Sequence, residues 1–248
     1  MDSTRKYATV NSFAIEFAQK SIFKRDNTVF GSELNTQISG QDTDFHQTSK
    51  VLSLAQIDTI HSEALIRSQM TATLSKKLAI SLDADTFNRK FISIGQRSLL
   101  NRALIEEIIY TSEVLLRNNQ KLVINIDEYP LAVTTLKKKK VIIQHVYLLK
   151  DNGIELAFSD YDLNQGSAEI LNTLNVFNYM KINLQKYDLN KKLNNTPDLF
   201  NRFHDKMNQV AHTNKVSFMA ERVEDKINHI LARSMPFDLF QGEYYSSN

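Results

Sequence analysis

Apolar residues recur at three- and four-residue spacing in several segments, which is the pattern of helices with one buried face. The clearest segment runs from Thr196 to Ala211, where Thr196 is placed to cap the helix and Pro197 to occupy its first turn. Val51 to Leu74 and Leu99 to Leu116 have the same spacing. These segments predict amphipathic helices.

Short apolar runs of strand length alternate with these helices. They are Leu78 to Leu82, Leu122 to Ile126, Ile154 to Phe158, Val176 to Ile182 and Val216 to Ala220. Strand and helix in alternation predict a parallel α/β sheet. The sequence has no G-x-G-x-x-G turn, and its 248 residues are close to the usual length of a (β/α)8 barrel. We therefore predict one α/β barrel domain over residues 1–248.

Composition excludes several classes of protein. Hydrophobic residues make up 42% of the chain and charged residues 23%, which is enough for a full core. The net charge of +2 gives no reason to expect a nucleic-acid or membrane partner. The chain has no cysteine, so disulfides, thiolate nucleophiles and cysteine zinc sites are excluded.

No apolar stretch has the length of a leader or a membrane span. Charged residues such as Arg5, Lys6 and Glu16 interrupt the first thirty residues, so the core of a signal peptide is missing. The most apolar later stretch, Val141 to Leu149, is far shorter than the ~20 residues of a membrane helix. We expect a cytoplasmic protein with no membrane partner.

One run of charge, Lys137 to Lys140, precedes Val141 in a predicted helix. A solvated helix face is the favoured interpretation, and a patch for nucleic acid or another anionic partner is the alternative.

Polar residues end several predicted strands, where a barrel of this class carries its chemistry. The segments are Gly31-Ser32-Glu33-Leu34-Asn35, Ser159-Asp160-Tyr161, Lys181-Ile182-Asn183, Ala220-Glu221-Arg222-Val223-Glu224 and Gln241-Gly242-Glu243-Tyr244-Tyr245. In this order they resemble the G-x-E-A-L signature, the Asp-Asp-Phe-Gly loop, and the Lys-Ile-Asp, Ala-Glu-Gly-Val-Glu and Gln-Gly-Tyr motifs of the EAL domain. From about residue 31 to 245 the chain thus resembles the EAL family of bacterial cyclic di-GMP phosphodiesterases.

The resemblance implies an EAL-type modified TIM (β/α)8 barrel in which Mg²⁺ or Mn²⁺ activates a water to attack a phosphodiester. The residues that match the family's functional positions are Glu33, Asp160, Lys181, Glu221 and Gln241. Lys181 with one of these carboxylates could also form a buried ion pair that has no ligand.

Other functional positions of the family carry neutral side chains here. The resemblance places the third-strand asparagine at Ser81, a strand-four glutamate at Asn125, the first aspartate of the pair at Ser159 and a phosphate-pairing arginine at Gln37. Neutral oxygens compensate less well than carboxylates for the lost hydration of Mg²⁺. We therefore expect no catalytic residue, no metal cofactor, and weak or absent binding of cyclic di-GMP.

Two aspartates could compensate for these losses. Asp83 lies two residues beyond Ser81, and Asp127 two residues beyond Asn125, so each shares a face of its strand with an altered position. They could rebuild a Mg²⁺ or Mn²⁺ site, or they could simply begin solvated loops and cap the following helices.

With these losses, the resemblance favours a catalytically inactive regulator that binds a protein partner in motility or biofilm signalling. The alternative is a cyclic di-GMP receptor or a weak residual phosphodiesterase. A nucleic-acid-binding regulator is a second alternative, and nucleic acid is the least favoured partner. Self-association into a homo-oligomer remains open.

The resemblance implies a further helix after the last strand, and we expect this helix to be absent, because only Ser246, Ser247 and Asn248 follow Tyr245. Unless Met1 to Val10 covers the gap, apolar surface on the predicted helix Arg222 to Arg233 should be exposed and act as an interface. The candidate interface residues are Ile227, Ile230 and Leu231.

Overall fold

The described residues contain nine strands, which pair in chain order as one sheet. The second strand also pairs with the ninth, so the second to the ninth strand close into an eight-stranded barrel. The computed structural model describes residues 7–10, 13–39, 62–67, 88–126, 135–162, 175–185 and 197–246. The strands are β1 (Tyr7–Val10), β2 (Phe13–Lys24), β3 (Val29–Ser39), β4 (Asn88–Ile94), β5 (Gln120–Ile126), β6 (Glu155–Phe158), β7 (Tyr179–Asn183), β8 (Ser217–Glu221) and β9 (Leu239–Phe240). From β3 to β9 all neighbours are parallel. The predicted α/β barrel is confirmed.

Helices follow most of the strands. They are α1 (Arg102–Leu116), α2 (Leu136–Asp151), α3 (Pro197–Asn214), α4 (Lys226–Ser234) and α5 (Glu243–Ser246). Asn101 caps α1 by accepting hydrogen bonds from two backbone amides, and a 3-10 turn over Gln96–Leu100 precedes it. Helix α3 begins at Pro197 as predicted, and Thr196 lies outside the described residues. Residues 62–67 of the predicted helix Val51 to Leu74 are helical, and its remainder also lies outside.

None of the helices in the described ranges combines the length and the apolar character that crossing a membrane requires.

The beginning of the fold differs from the predicted alternation of strand and helix. The sequence predicts no strand before Leu78, whereas β2 and β3 form a long antiparallel hairpin. Its turn is stabilised by the carboxylate of Asp26, which accepts hydrogen bonds from the backbone N–H and the hydroxyl of Thr28. Asn27 takes a left-handed conformation in this turn, which asparagine tolerates better than most residues.

The strand between β3 and β5 also differs from the prediction. This strand is β4, which begins with the polar residues Asn88, Arg89 and Lys90. The buried residues that follow, such as Phe91 and Ile92, form too short an apolar run to predict a strand. The predicted strand Leu78 to Leu82 lies outside the described residues.

The core has two parts, as expected for a barrel surrounded by helices. A large cluster fills the space between the barrel and its helices, and includes Ile108 of α1, Val146 of α2 and Met207 of α3. A smaller cluster fills the barrel interior.

The end of the chain corrects the expectation that no helix follows the last strand. Strand β9 ends at Phe240, and Glu243–Ser246 form one helical turn. Tyr245 on this turn is 8% exposed and stacks on Phe23 of β2, with 5.4 Å between ring centroids. The turn therefore covers part of the seam between β2 and β9, and β1 pairs with the opposite end of β2.

Candidate functional site

Side chains inside the barrel form layers, because alternate residues of a strand point to the same side. The middle layer is apolar and contains Phe91, Val123, Ala157, Tyr179, Met219 and Leu239. Two residues further toward the carboxyl end of each strand stand Ser93, Asn125, Ser159, Lys181, Glu221 and Gln241. Strand β3 contributes Glu33 to this second layer through its contact with Lys181. The candidate site is therefore the layer of polar side chains that lies next to the apolar layer, on the side of the strands' carboxyl ends.

Lys181 is the centre of the site. Its Nζ donates to Oε1 of Glu33 at 2.8 Å and lies 2.6 Å from Oε1 of Glu221. The Lys181 side chain is only 1% exposed, so the ammonium group is removed from bulk water. The two flanking carboxylates therefore replace its lost hydration.

Burial and charge act in opposite directions on these three groups. Burial alone would lower the pKa of Lys181, but attraction to Glu221 and Glu33 outweighs it and raises that pKa. Burial would raise the pKa of Glu33, but the charge and hydrogen bond of Lys181 hold it below its usual value. The pKa of Glu221 is raised, first by burial and then by repulsion from Glu33 and Asp160, despite Lys181. Glu33 and Lys181 are thus the firmly charged pair, and Glu221 is the group that protonates more readily.

A chain of neutral hydrogen bonds leads into Glu33 from three neighbouring strands. The hydroxyl of Ser159 donates to Oδ1 of Asn125 at 2.7 Å, and Nδ2 of Asn125 donates to Oγ of Ser93 at 2.7 Å. Ser93 in turn donates to Oε1 of Glu33 at 3.3 Å. Buried polar groups that satisfy one another in this way fix a polar interior without a ligand.

The prediction for Ser81 requires a correction. Because β4 lies between β3 and β5, the residue that faces Glu33 and Asn125 from this position is Ser93. Ser81 lies outside the described residues, as do the two candidate compensating residues Asp83 and Asp127.

The remaining candidate residues lie around this network. Asp160 follows β6 in a left-handed conformation, half-buried and close enough to Glu221 to raise its pKa. The amide of Gln241 lies close enough to Glu33 to contribute to lowering its pKa, although no acceptor in the described ranges lies within hydrogen-bond distance of Nε2 of Gln241. Gln37 lies in β3, paired with Glu16 of β2, four residues beyond Glu33.

The described residues do not fit a strong divalent-cation centre. No three histidine, cysteine, aspartate or glutamate side chains in this part of the chain come together as a potential metal cluster. Hard cations require several converging carboxylate oxygens. Here Glu33 and Glu221 flank an ammonium group, and the neighbouring positions supply one amide and two hydroxyls.

A second polar layer, at the amino ends of the strands, was missed by the sequence analysis. Arg89 contacts both carboxylate oxygens of Glu155, at 2.7 and 3.2 Å, and Lys121 lies 3.4 Å from the same group. The hydroxyl of Tyr179 donates to Glu155 at 2.6 Å. Each charged residue of this layer lies two positions before a residue of the apolar layer on the same strand. The alternation of side chains along a strand could therefore have predicted that Arg89, Lys121 and Glu155 lie together.

The candidate interface on α4 is exposed in part. Ile227 is 65% exposed and Ile230 is 58% exposed. Leu231 does not belong with them, because it is partly buried against the main core. Spacings of three and four both keep residues on one side of a helix, so Leu231 lies at the edge of this face where it meets the core, and Ile227 and Ile230 are its exposed pair.

Comparison with known families gives one match, to a model described as EAL domain, over residues 10–248. No curated protein sequence matches the chain at a significant level.

Several solved structures share the fold. The Xanthomonas citri FimX EAL domain in complex with cyclic di-GMP is 12% identical with a TM-score of 0.66, over 93% of this chain and 86% of that one. The manganese and cyclic di-GMP complex of Klebsiella pneumoniae BlrP1 is 15% identical with a TM-score of 0.62, over 98% and 57%. The EAL enzyme Bd1971, bound to cAMP and cyclic di-GMP, is 14% identical with a TM-score of 0.60, over 94% and 61%. The chain spans about three fifths of the length of these last two proteins.

Proposed function

The chain belongs to the EAL domain family, and on this premise we propose that it is a catalytically inactive member that binds a protein partner in bacterial cyclic di-GMP signalling, in the cytoplasm. EAL domains are usually cyclic di-GMP phosphodiesterases. One observation supports the departure from that activity. The three neighbouring strands β4, β5 and β6 place Ser93, Asn125 and Ser159 at or next to their carboxyl ends, and these side chains form hydrogen bonds with one another and with Glu33.

The chemistry of phosphodiester hydrolysis explains why this observation weighs against catalysis. Divalent cations would have to bind, lower the pKa of a water and neutralise the charge that develops on phosphate. Asn125 and Ser159 bring no negative charge to such cations, and binding there would break hydrogen bonds already made between them. Glu33 would also have to divide its charge between Lys181 and the cation.

A cyclic di-GMP receptor is the competing function, since a nucleotide can bind without being hydrolysed. Gln37 weighs against tight binding, because a neutral amide cannot form the bidentate charged contact that arginine makes with a phosphate. A protein partner is therefore favoured over the nucleotide, and no cofactor is part of the proposal.

The experiment is to incubate the purified chain with cyclic di-GMP and Mn²⁺, and to measure the linear product by chromatography. We expect no turnover, and a rate of about 1 s⁻¹ or more, common for enzymes, would contradict the proposal. If a weaker activity is found, Glu33→Ala and Glu221→Ala should each abolish it. Asp83→Ala and Asp127→Ala then test whether these aspartates rebuild the site, and unchanged activity in both would exclude that role.

A partner surface is also proposed, on the exposed pair Ile227 and Ile230 of α4. Large aliphatic side chains exposed together on a helix commonly mark a site of protein contact. This surface does not depend on the polar residues inside the barrel.

A further inference from the structure

Helix α2 begins with Leu136 followed by four consecutive lysines, Lys137 to Lys140, and its first turn has no acidic residue. Three of them, Lys137, Lys138 and Lys140, are exposed. Among the described residues none of the four forms an ion pair or a side-chain hydrogen bond. No acidic side chain of the described residues thus balances the positive charge at this end of the helix.

This arrangement is unfavourable for the isolated domain. The amino end of a helix already bears partial positive charge, so exposed cations in the first turn are unfavourable there at low ionic strength. Four adjacent ammonium groups also repel one another. Residues that reduce stability are often found where a surface serves a partner.

The same helix exposes apolar side chains beside its lysines. Leu136 is 79% exposed, and Tyr147 and Leu148 are 42% and 41% exposed. The opposite face of α2 packs on the barrel through Ile142, Val146 and Leu149, which are fully buried. The orientation of the helix is therefore fixed, and lysine and leucine are presented outward together.

The basic turn stands at the carboxyl end of the barrel. Helix α2 ends at Asp151, just before β6 begins at Glu155, so its last turn lies at the amino ends of the strands. Its first turn is about 22 Å away at the other end, at 1.5 Å of rise per residue. This is the end of the barrel where Asn125 lies, one residue before β5 ends at Ile126.

We propose that the outward face of α2, formed by Leu136 to Lys140 with Tyr147 and Leu148, docks an acidic segment of a partner protein that also carries leucine-like side chains. Charge complementarity provides steering and specificity, and the apolar residues provide buried area. The proposal holds whether or not the domain hydrolyses a nucleotide.

Two features favour an acidic protein over nucleic acid. Helix α2 has no arginine, so it lacks the planar group that makes bidentate contacts with phosphate. The net charge of the whole chain is only +2, which leaves little driving force from counterion release beyond the four lysines.

The test measures binding of the full chain to a fluorescent peptide of glutamate and leucine residues, with the same peptide carrying glutamine in place of glutamate as a second probe. The combined variant Lys137→Gln, Lys138→Gln and Lys140→Gln should weaken binding to the acidic peptide by about tenfold or more. The matched control Lys20→Gln, Arg202→Gln and Lys215→Gln removes the same charge from other exposed positions that lie outside the first turn of any helix, and it should leave the affinity unchanged. Equal losses in both variants would overturn the proposal, as would tighter binding to duplex DNA or to anionic vesicles than to the acidic peptide.

Two further measurements separate docking from a general effect of charge. The variant at Lys137, Lys138 and Lys140 should melt at a higher temperature than the unaltered chain, because cations leave the positive end of the helix, whereas the control should not. Leu136→Gln should weaken binding to the leucine-containing peptide but not to polyglutamate. Unchanged melting together with unchanged peptide affinity in these variants would assign the lysines to a solvated helix face and refute the docking surface.

Discussion

Lys181 and Glu33 form an ion pair across the interior of the barrel, with 2.8 Å between Nζ and Oε1. Lys181 stands on β7 and Glu33 on β3, four strands apart in an eight-stranded barrel and therefore on opposite walls. The pair joins residues that are 148 positions apart in the sequence. It is therefore a structural link between distant parts of the chain.

Lys181→Met should destabilise the protein strongly. Removing one partner of a buried ion pair leaves the other charge without compensation, which costs about 3–5 kcal/mol. Denaturation by urea would measure the loss. The triple variant Lys181→Met with Glu33→Gln and Glu221→Gln should recover part of it, since neither carboxylate that contacts Lys181 is then left charged and unpaired, and a purely additive loss would contradict this account.

Glu33 should also shape the response of stability to acid. Because its pKa is held below the usual value of 4.5 in the folded protein, the unfolded chain binds more protons in the window below 4.5. The stabilisation is therefore present above that value and is lost as pH falls through the folded pKa. Glu33→Gln should flatten this acid limb in denaturation measured against pH. An identical slope in both proteins would show that other groups cause it.

Glu221 should have the opposite dependence, since its pKa is raised in the folded state from 4.5. The folded protein then binds more protons above 4.5, and stability declines as pH rises from there toward the folded pKa. Glu221→Gln should remove that decline while keeping the shape of Lys181's pocket.

Introducing the side chains that the resemblance implies as metal ligands tests whether their replacement is what prevents the site from binding Mn²⁺. The combined variant Ser93→Asn, Asn125→Glu and Ser159→Asp adds two negative charges and breaks the neutral hydrogen-bond chain. We expect measurable Mn²⁺ binding by isothermal titration, with Ser93→Asn alone as a control that adds no charge. Mn²⁺ binding of equal strength in the unaltered chain would show that a metal site is already present.

Gln37→Arg should tighten the binding of cyclic di-GMP. A charged hydrogen bond contributes about 1.5–3 kcal/mol, which corresponds to roughly tenfold to a hundredfold in affinity. Titration calorimetry with and without Mn²⁺ would measure this gain in affinity. Gln37→Lys is the matched control, because lysine adds a positive charge but not the planar guanidinium group that makes two parallel contacts with a phosphate. Nanomolar affinity in the unaltered chain would instead favour a receptor.

Ile227→Glu with Ile230→Glu should abolish association with a protein partner or with a second copy of the chain, and circular dichroism should show an intact fold because both residues are exposed. Tyr110→Glu is the control, since Tyr110 is 58% exposed on a different helix. Association at full strength in the double variant would direct the search for the partner to the basic face of α2.

The sequence predicts the parallel part of this fold well, because each of β5 to β8 is a compact apolar run next to an amphipathic helix. It does not predict β2 and β3, because these strands form by pairing with each other as a hairpin and neither is a compact apolar run. It does not predict β4 either, because the first residues of that strand are polar. That misplacement of β4 is why Ser81 was expected where Ser93 stands. The structure brings together Glu33, Asn125, Ser159, Lys181 and Glu221, and their assignment to the family's functional positions stays a prediction. Their bonding to one another depends on strand register, which residue spacing alone does not specify.

The fully buried Phe91, Val123, Ala157 and Met219 separate the polar layer around Lys181 from the polar layer around Glu155. Because this apolar layer lies between them, the charged groups at one end of the barrel do not contact those at the other end. Substitutions at one end can then accumulate without loosening the other. A barrel built in this way can give up its chemistry and remain a stable scaffold, free to acquire a new role on its outer surface.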